Sequence, residues 1–423
     1  MIRRIRIQNF ASLVDVDTTL GPLTLLVGPN ASGKTMFIRA LRTLTKLMRS
    51  TLRTKEGDFS IDFATMSQLV TGSDPSKEIR LAIWIDDTEG PPTYEVALAR
   101  ENEKWFIADE RIHFQSFHFE GSQQKLEFKT ERRGTVVWET PGDPPRSSTL
   151  PYLAYAYRAD SSAMQSLQPL LDLQRAVGVS RVFRISSANL MRPGLPNWIR
   201  PERPYVDDTG SGFIHTLSRF SQTSRGRGVL GDKIIPGLRE LFPHITNLGF
   251  QGSPSWLQLE YESDRYRGPL PAQLESDGVN LALFLICLPF LLSEPGNEDH
   301  PTPVCVGLEE PEAGTHPFFQ RNRLQILRHL SRGHVSAIPL QIIATTHSLD
   351  FLRWVEREEA MDVLRFAEHL GPDLGTRIQR LTHQEDLDRV YEMYDHNPGL
   401  AWYSGVFGAV PPIPDLAPVE EEG

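Results

Sequence analysis

The chain has 423 residues, 39% hydrophobic and 23% charged, with two cysteines and a formal net charge of −10 at pH 7. That length accommodates two or three domains and a large core. The acidic balance excludes a protein that coats nucleic acid through bulk charge, although it leaves room for a local basic groove. The basic residues are 36 Arg against 8 Lys, with no Lys after Lys233, so a placed lysine is more informative here than an arginine cluster. The longest apolar run, 281–292, is too short to cross a bilayer and contains Pro289. The chain opens directly on a strand pattern rather than a signal peptide. Cys287 and Cys305 sit in apolar segments, as core thiols of a reducing compartment do. The expected location is cytoplasmic, without a membrane partner.

Ile2, Ile5 and Ile7 mark a first strand ending near Phe10, and residues 23–27 form a short apolar strand bounded by glycines. A helix is predicted from Thr35 to about Arg49, with Ile38, Leu41, Leu44 and Met48 on one face. From Glu78 to Trp138 the period changes to two, as in an antiparallel meander. A Pro-rich break at 141–151 leads to helical segments at about 161–177, 212–220 and 233–241. An apolar helix at 279–292 follows, then buried strands at 303–308 and 340–345 and a hairpin pattern at 363–381. The tail from Pro411 is Pro-rich and acidic. The expected organisation is an N-terminal lobe at 1–150, a helical insert at 151–245, a C-terminal lobe at 246–410 and a flexible tail at 411–423.

Gly28-Pro29-Asn30-Ala31-Ser32-Gly33-Lys34-Thr35 fits G-x-x-x-x-G-K-[ST], directly after a strand and before a helix. Glycines let such a backbone curl until successive N–H groups converge on an anion at a helix N-terminus. Gly28, Asn30, Ser32 and Gly33 then line a phosphate cradle. Lys34 neutralises charge between the β and γ phosphates of ATP, and the Thr35 hydroxyl ligates Mg2+. A second element is the apolar strand ending in Glu309-Glu310-Pro311-Glu312. Beside the loop, Glu309 suits the metal and Glu310 the attacking water; read alone, the same residues describe a surface acidic turn. The third is Thr345-Thr346-His347-Ser348, a polar edge at the end of an apolar strand, where His347 can hydrogen-bond the γ-phosphate. The fourth, Glu275-Ser276-Asp277-Gly278, opens the apolar helix. Ser276 reads equally as a plain N-cap or as part of a second anion site that meets another subunit's γ-phosphate.

In this order the four motifs resemble the ATP-binding-cassette (ABC-type) ATPase heads of the SMC/RecF/OLD group, most of all stand-alone bacterial AAA_21-type ATPases without a Toprim domain. The opening Ile5-Arg6-Ile7-Gln8-Asn9-Phe10 shares the likeness, as does His316-Pro317 after the acidic turn. The resemblance implies an α/β fold: an ABC-type P-loop head with an antiparallel β meander and a helical insert. It implies ATP and Mg2+, with Ser276 and Gly278 as a signature motif on ATP held by a partner head. It also implies a Q-loop glutamine near the metal, best matched by Gln68. Glu275 stands where these heads often have Leu, Glu309 where Asp is usual, and Ala31 where Gly is common, a change expected to be harmless.

The function so implied is a switch ATPase that forms a homodimer or higher oligomer around ATP. Its setting would be bacterial anti-phage defence or genome maintenance, with a separately encoded effector such as a nuclease or Toprim-like protein. One rival is a RecF-like DNA-repair clamp, for which Arg175, Arg181, Arg184, Arg192, Arg200 and Arg203 interleave with Phe183, Trp198 and Tyr205. A more distant rival is the ATPase subunit of a transporter. Glu356, Glu358, Glu359, Asp386 and Asp388 lie in helix-like charged stretches rather than at strand ends, so no two-metal nuclease site is expected in this chain.

Overall fold

A computed structural model describes residues 1–49, 72–85, 89–101, 104–114, 117–122, 125–130, 134–139, 181–185, 187–192, 206–251, 256–262, 266–292, 304–313, 317–334, 340–371, 373–381 and 384–407. Strands β1 (Arg4–Phe10) and β2 (Leu13–Thr19) form a hairpin, and β3 (Leu23–Val27) leads through a loop into the Lys34–Arg49 helix. The period-two region supplies β4 (Ile79–Trp84), β5 (Tyr94–Glu101), β6 (Lys104–Phe114), β7 (Phe117–Ser122), β8 (Lys125–Thr130) and β9 (Gly134–Glu139). With the first hairpin these make one antiparallel sheet in the order β2-β1-β4-β5-β6-β7-β8-β9, as the alternation predicted.

A second sheet holds the site. It runs β10 (Arg181–Phe183), β14 (Val304–Glu309), β15 (Leu340–Thr346), β3, β16 (Leu364–His369), β17 (Thr376–Arg380), parallel except for the last pair. Every residue of β3 is buried because both faces are covered. Leu23, Leu25 and Val27 belong to a core shared with the Asp277–Leu292 helix, while Leu26 joins Phe37, Ile38, Leu41 and Leu44 of the Lys34–Arg49 helix. The two helices differ accordingly. The Lys34–Arg49 helix buries one stripe. Residues 281–288 of the Asp277–Leu292 helix are all buried, each large side chain stabilising the fold by roughly 1.5–3 kcal/mol. Cys287 and Cys305 are both buried, and neither forms a disulfide among the described residues. No helix among the described residues is long and apolar enough to cross a membrane.

Two features depart from the sequence reading. A three-stranded antiparallel sheet, β11 (Ile245–Gln251), β12 (Trp256–Glu262) and β13 (Arg267–Pro271), was not expected. A register shift between Ile245 and Asn247 puts the buried Ile245 and Leu248 three residues apart, which hides the two-residue period. The other is β10, which falls within the supposed helical insert but forms an edge of the central sheet. Three residues are too few to show a period. Phe183 there is fully buried, edge-on to Phe284 at 5.1 Å, so it is a core residue and not a platform for nucleic-acid bases. Arg175, Trp198, Arg200, Arg203 and Tyr205 lie outside the described residues, as do Gln68, His316, the predicted 161–177 helix and the tail from Pro411.

Candidate functional site

The order β14-β15-β3 sets the carboxyl ends of three parallel strands side by side. Glu309 is in register with Thr345, and Thr346 with Val27. Polar residues just past each apolar strand therefore converge at the edge where open α/β sheets hold ligands. From Val27 the chain turns through residues 28–33. Gly33 has φ 97°, and a Cβ there would lie 2.2 Å from Thr376 Oγ1 of β17. A Cβ at Gly28 would lie 2.4 Å from Ala367 O of β16. The loop is thus pressed against the β16–β17 hairpin, and both glycines are needed for that contact. Ala31 is also left-handed, at φ 64°. That conformation costs an alanine about 1–2 kcal/mol, so the departure from glycine is not free, contrary to expectation.

Lys34 is only 6% exposed, and its Nζ donates to Gly28 O at 2.6 Å and Pro29 O at 2.7 Å. Burial lowers its pKa, opposed by the charges of Glu310 and Glu312. Ser32 Oγ is buried with no hydrogen-bond partner among the described residues, and Thr35 is exposed in the first helical turn. A buried ammonium, an uncommitted hydroxyl and a helix N-terminus in one concave loop fit the phosphates of a nucleotide.

Facing the loop is the acidic turn. Glu309 ends β14, and burial raises its pKa, with Arg184 and Arg42 pulling against that and Glu310 adding to it. Glu310 is left-handed at φ 46°; its N–H donates to Thr345 O at 3.1 Å and to Thr345 Oγ1 at 3.2 Å. A non-glycine residue keeps such a conformation only where its surroundings hold it. The turn brings Glu310 Oε1 to 3.3 Å from His347 Nδ1. Glu312 is 4% exposed, accepts a hydrogen bond from Thr346 Oγ1 and has its pKa raised, chiefly by burial. Glu312 belongs to the acidic motif without a role that the motif itself assigns. Its trace in the sequence is the Glu-Pro-Glu spacing, which sets a second carboxylate beyond Glu310. Arg323, also passed over, donates from Nη1 to Pro311 O.

The structure thus brings Lys34, Glu309, Glu310 and His347 to one edge. Ser276 and Gly278 lie at the start of the Asp277–Leu292 helix, whose Asp277 lines a cavity with Glu309. Val279 N–H donates to Ser276 Oγ at 3.4 Å and Asn280 N–H to Ser276 O at 3.2 Å, the pattern of an N-cap. Neither residue hydrogen-bonds loop 28–35 among the described residues. Of the acidic residues near the C-terminus, Glu356 and Glu359 pair with Arg328 and Asp388 pairs with Arg357.

The family described as "AAA domain, putative AbiEii toxin, Type IV TA system" (AAA_21) matches residues 23–353. The chain is also 51% identical over 41 residues to the OLD nuclease of Thermus scotoductus, a match covering 10% of this chain and only 8% of that protein. Among solved structures, the SMC head domain from Thermotoga maritima aligns with 90% of this chain and 99% of its own at 12% identity, with a TM-score of 0.39. An SMC head bound to the C-winged helix domain of ScpA aligns with 92% and 99% at 13% identity, with a TM-score of 0.45. The family match runs from β3 past His347 and takes in the loop, the acidic turn and the histidine. The chain belongs to the AAA_21 family, and its loop 28–35 carries the phosphate-binding motif of P-loop ATPases.

Proposed function

We propose that the chain is an ATP-driven switch whose heads pair around bound ATP and separate on hydrolysis. The observation that carries this reading is the meeting of Lys34, Glu309, Glu310 and His347 at the ends of adjacent parallel strands. The backbone N–H groups of Gly28, Asn30 and Gly33, the Ser32 hydroxyl and Lys34 would hold the phosphates. Thr35 and Glu309, with Gln68 as a further candidate, would hold Mg2+. When bound, that ion neutralises phosphate charge. Glu310 would orient the attacking water, and His347 would steady Glu310 and register the γ-phosphate. Ser276 and Gly278 would serve the nucleotide of the opposite head, giving a C2 pair or a larger assembly.

Lobes at 1–150 and 246–410, with 151–245 as an insert that lends β10 to the central sheet, suit such a head. The family description, with its putative toxins, and the OLD nuclease relative support a role in bacterial defence or genome maintenance. We assign any degradative step to a separately encoded effector.

Two variants test the switch. Glu310→Gln keeps the shape of the side chain and removes its basicity, so turnover should fall by about 10²–10⁴-fold while ATP still binds and a dimer accumulates by light scattering. Lys34→Ala should lose nucleotide binding and dimer together. Normal turnover in Glu310→Gln, or a concentration-independent specific activity from a monomeric wild type, would sink the reading.

A further inference from the structure

Arg323 is a buried cation to which the reading above gives no role. It sits on the Pro317–Ser331 helix and is 5% exposed. Nη1 donates to Pro311 O and, at 3.4 Å, to Ala313 O, the backbone directly beyond Glu310. Its Nε is buried without a hydrogen-bond partner among the described residues. Arg323 also lines a cavity of about 270 Å3 together with Asp277, Glu309, Pro311 and Ala313. Asp277 occupies the first turn of the apolar helix, between Ser276 and Gly278. One guanidinium therefore grips the turn that carries Glu310 and shares a cavity with the carboxylate at the start of the other motif.

Burying a charge is expensive unless it is paired. Burial lowers the Arg323 pKa, and the charges of Asp277 and Glu312 work against that. An apolar residue would pack this position at lower cost, so packing does not account for an arginine here. The position makes sense if its charge reads the helix start and its hydrogen bonds act on the turn.

We propose that Arg323 is a positioning residue that couples the start of the Asp277–Leu292 helix to Glu310, so that hydrolysis in a head depends on how that helix start is engaged. The proposal rests on the assignment of Glu310 to the attacking water. A displacement of Asp277 changes where the guanidinium is best placed. The carbonyls of Pro311 and Ala313 follow it, and Glu310 is already held in a conformation that needs outside support.

The test is a double-mutant cycle between Asp277→Asn and Arg323→Met, with Arg323→Lys and Lys34→Ala alongside. ATP affinity is read with a fluorescent nucleotide, and kcat and KM at saturating protein. Arg323→Met should lower kcat by about tenfold or more while KM and ATP affinity stay within about twofold, the sign of a contribution made after binding. Arg323→Lys should recover part of kcat. Asp277→Asn should lower kcat by about threefold in the parent and have no further effect in Arg323→Met, since coupled residues are non-additive. If Arg323→Met does not fold, the cycle is run with Arg323→Lys. Additive losses, affinity falling in step with kcat, or an inert Asp277→Asn would overturn the coupling while leaving the ATPase intact. A wild type no more active than Lys34→Ala would overturn both.

Discussion

Gly33 and Gly278 each sit at the opening of a helix, yet the chain explains only one of them. At Gly33 the backbone is left-handed, and a methyl group would collide with Thr376. At Gly278 an added Cβ would meet nothing closer than Ser276 Oγ at 3.8 Å, an ordinary contact. The surroundings differ in the same way. Loop 28–33 is walled in by β16 and β17, whereas Ser276 is exposed and Leu274, two residues before it, is 72% exposed. Folding alone accounts for the glycine in the first turn. In the second it leaves an open helix start bearing a residue that the chain does not require, as expected of half a site that something outside the chain completes.

The largest effect should come from closing the space at the first turn. Gly33→Ala combines an alanine in the left-handed region with overpacking against Thr376, and should cost about 2–4 kcal/mol. Thermal melts should show the loss, and ATP binding should vanish with it. Wild-type stability in this variant would mean that the β16–β17 hairpin yields easily, and the contrast between the two turns would fail.

A smaller effect belongs to the acidic side of the first site. Burial raises the pKa of Glu312 above the ordinary glutamate value of 4.5. The stability contributed by such a group is fully present below its unfolded-state pKa and is lost as pH rises through its folded-state pKa. The ligand-free wild type should therefore lose stability as pH climbs through that interval. Glu312→Gln keeps an acceptor for Thr346 Oγ1 but does not ionise. It should melt higher than wild type at pH 7 and converge with it below about pH 4.5, near the reference carboxylate value. Parallel melting curves across the range would show that Glu312 is not the group responsible.

The parts of this architecture legible in the sequence are those written by neighbouring residues. An apolar run followed at once by Gly28, by Glu309-Glu310 or by Thr346-His347 shows both the strand and the edge on which it ends. The order of these motifs was enough to suggest the fold. What could not be read depends on partners distant in the chain. Glu312 matters because Thr346, 34 residues away, donates to it. Arg323 looks like any other of the chain's arginines until its helix docks it beneath Pro311. The β11–β13 sheet was hidden by a bulge, and β10 by its length. The strain at Ala31 is invisible without its φ angle.

The smallest change in stability is expected at the second turn, where the functional consequence should nonetheless be clear. Gly278→Ala adds a methyl group in open contact inside a helix, where alanine is favoured over glycine by roughly 0.5–1 kcal/mol. The variant should melt at the wild-type temperature or slightly above it, and a single head should bind ATP normally. If the Ser276 helix start must approach a phosphate held by a second head, the methyl group stands in the way. Specific activity, which should rise with protein concentration in the wild type, would then stay low at every concentration. Ser276→Arg provides a stronger block at the same place, at the further cost of a lost cap worth about 1 kcal/mol. The Gly278→Ala outcome separates an intermolecular site from a folding requirement, because stability and turnover then move in different directions. If Gly278→Ala hydrolyses ATP like the wild type with the same concentration dependence, the residue has no work to do between heads. Ser276 is then an ordinary N-cap, and the difference between the two turns says nothing about pairing.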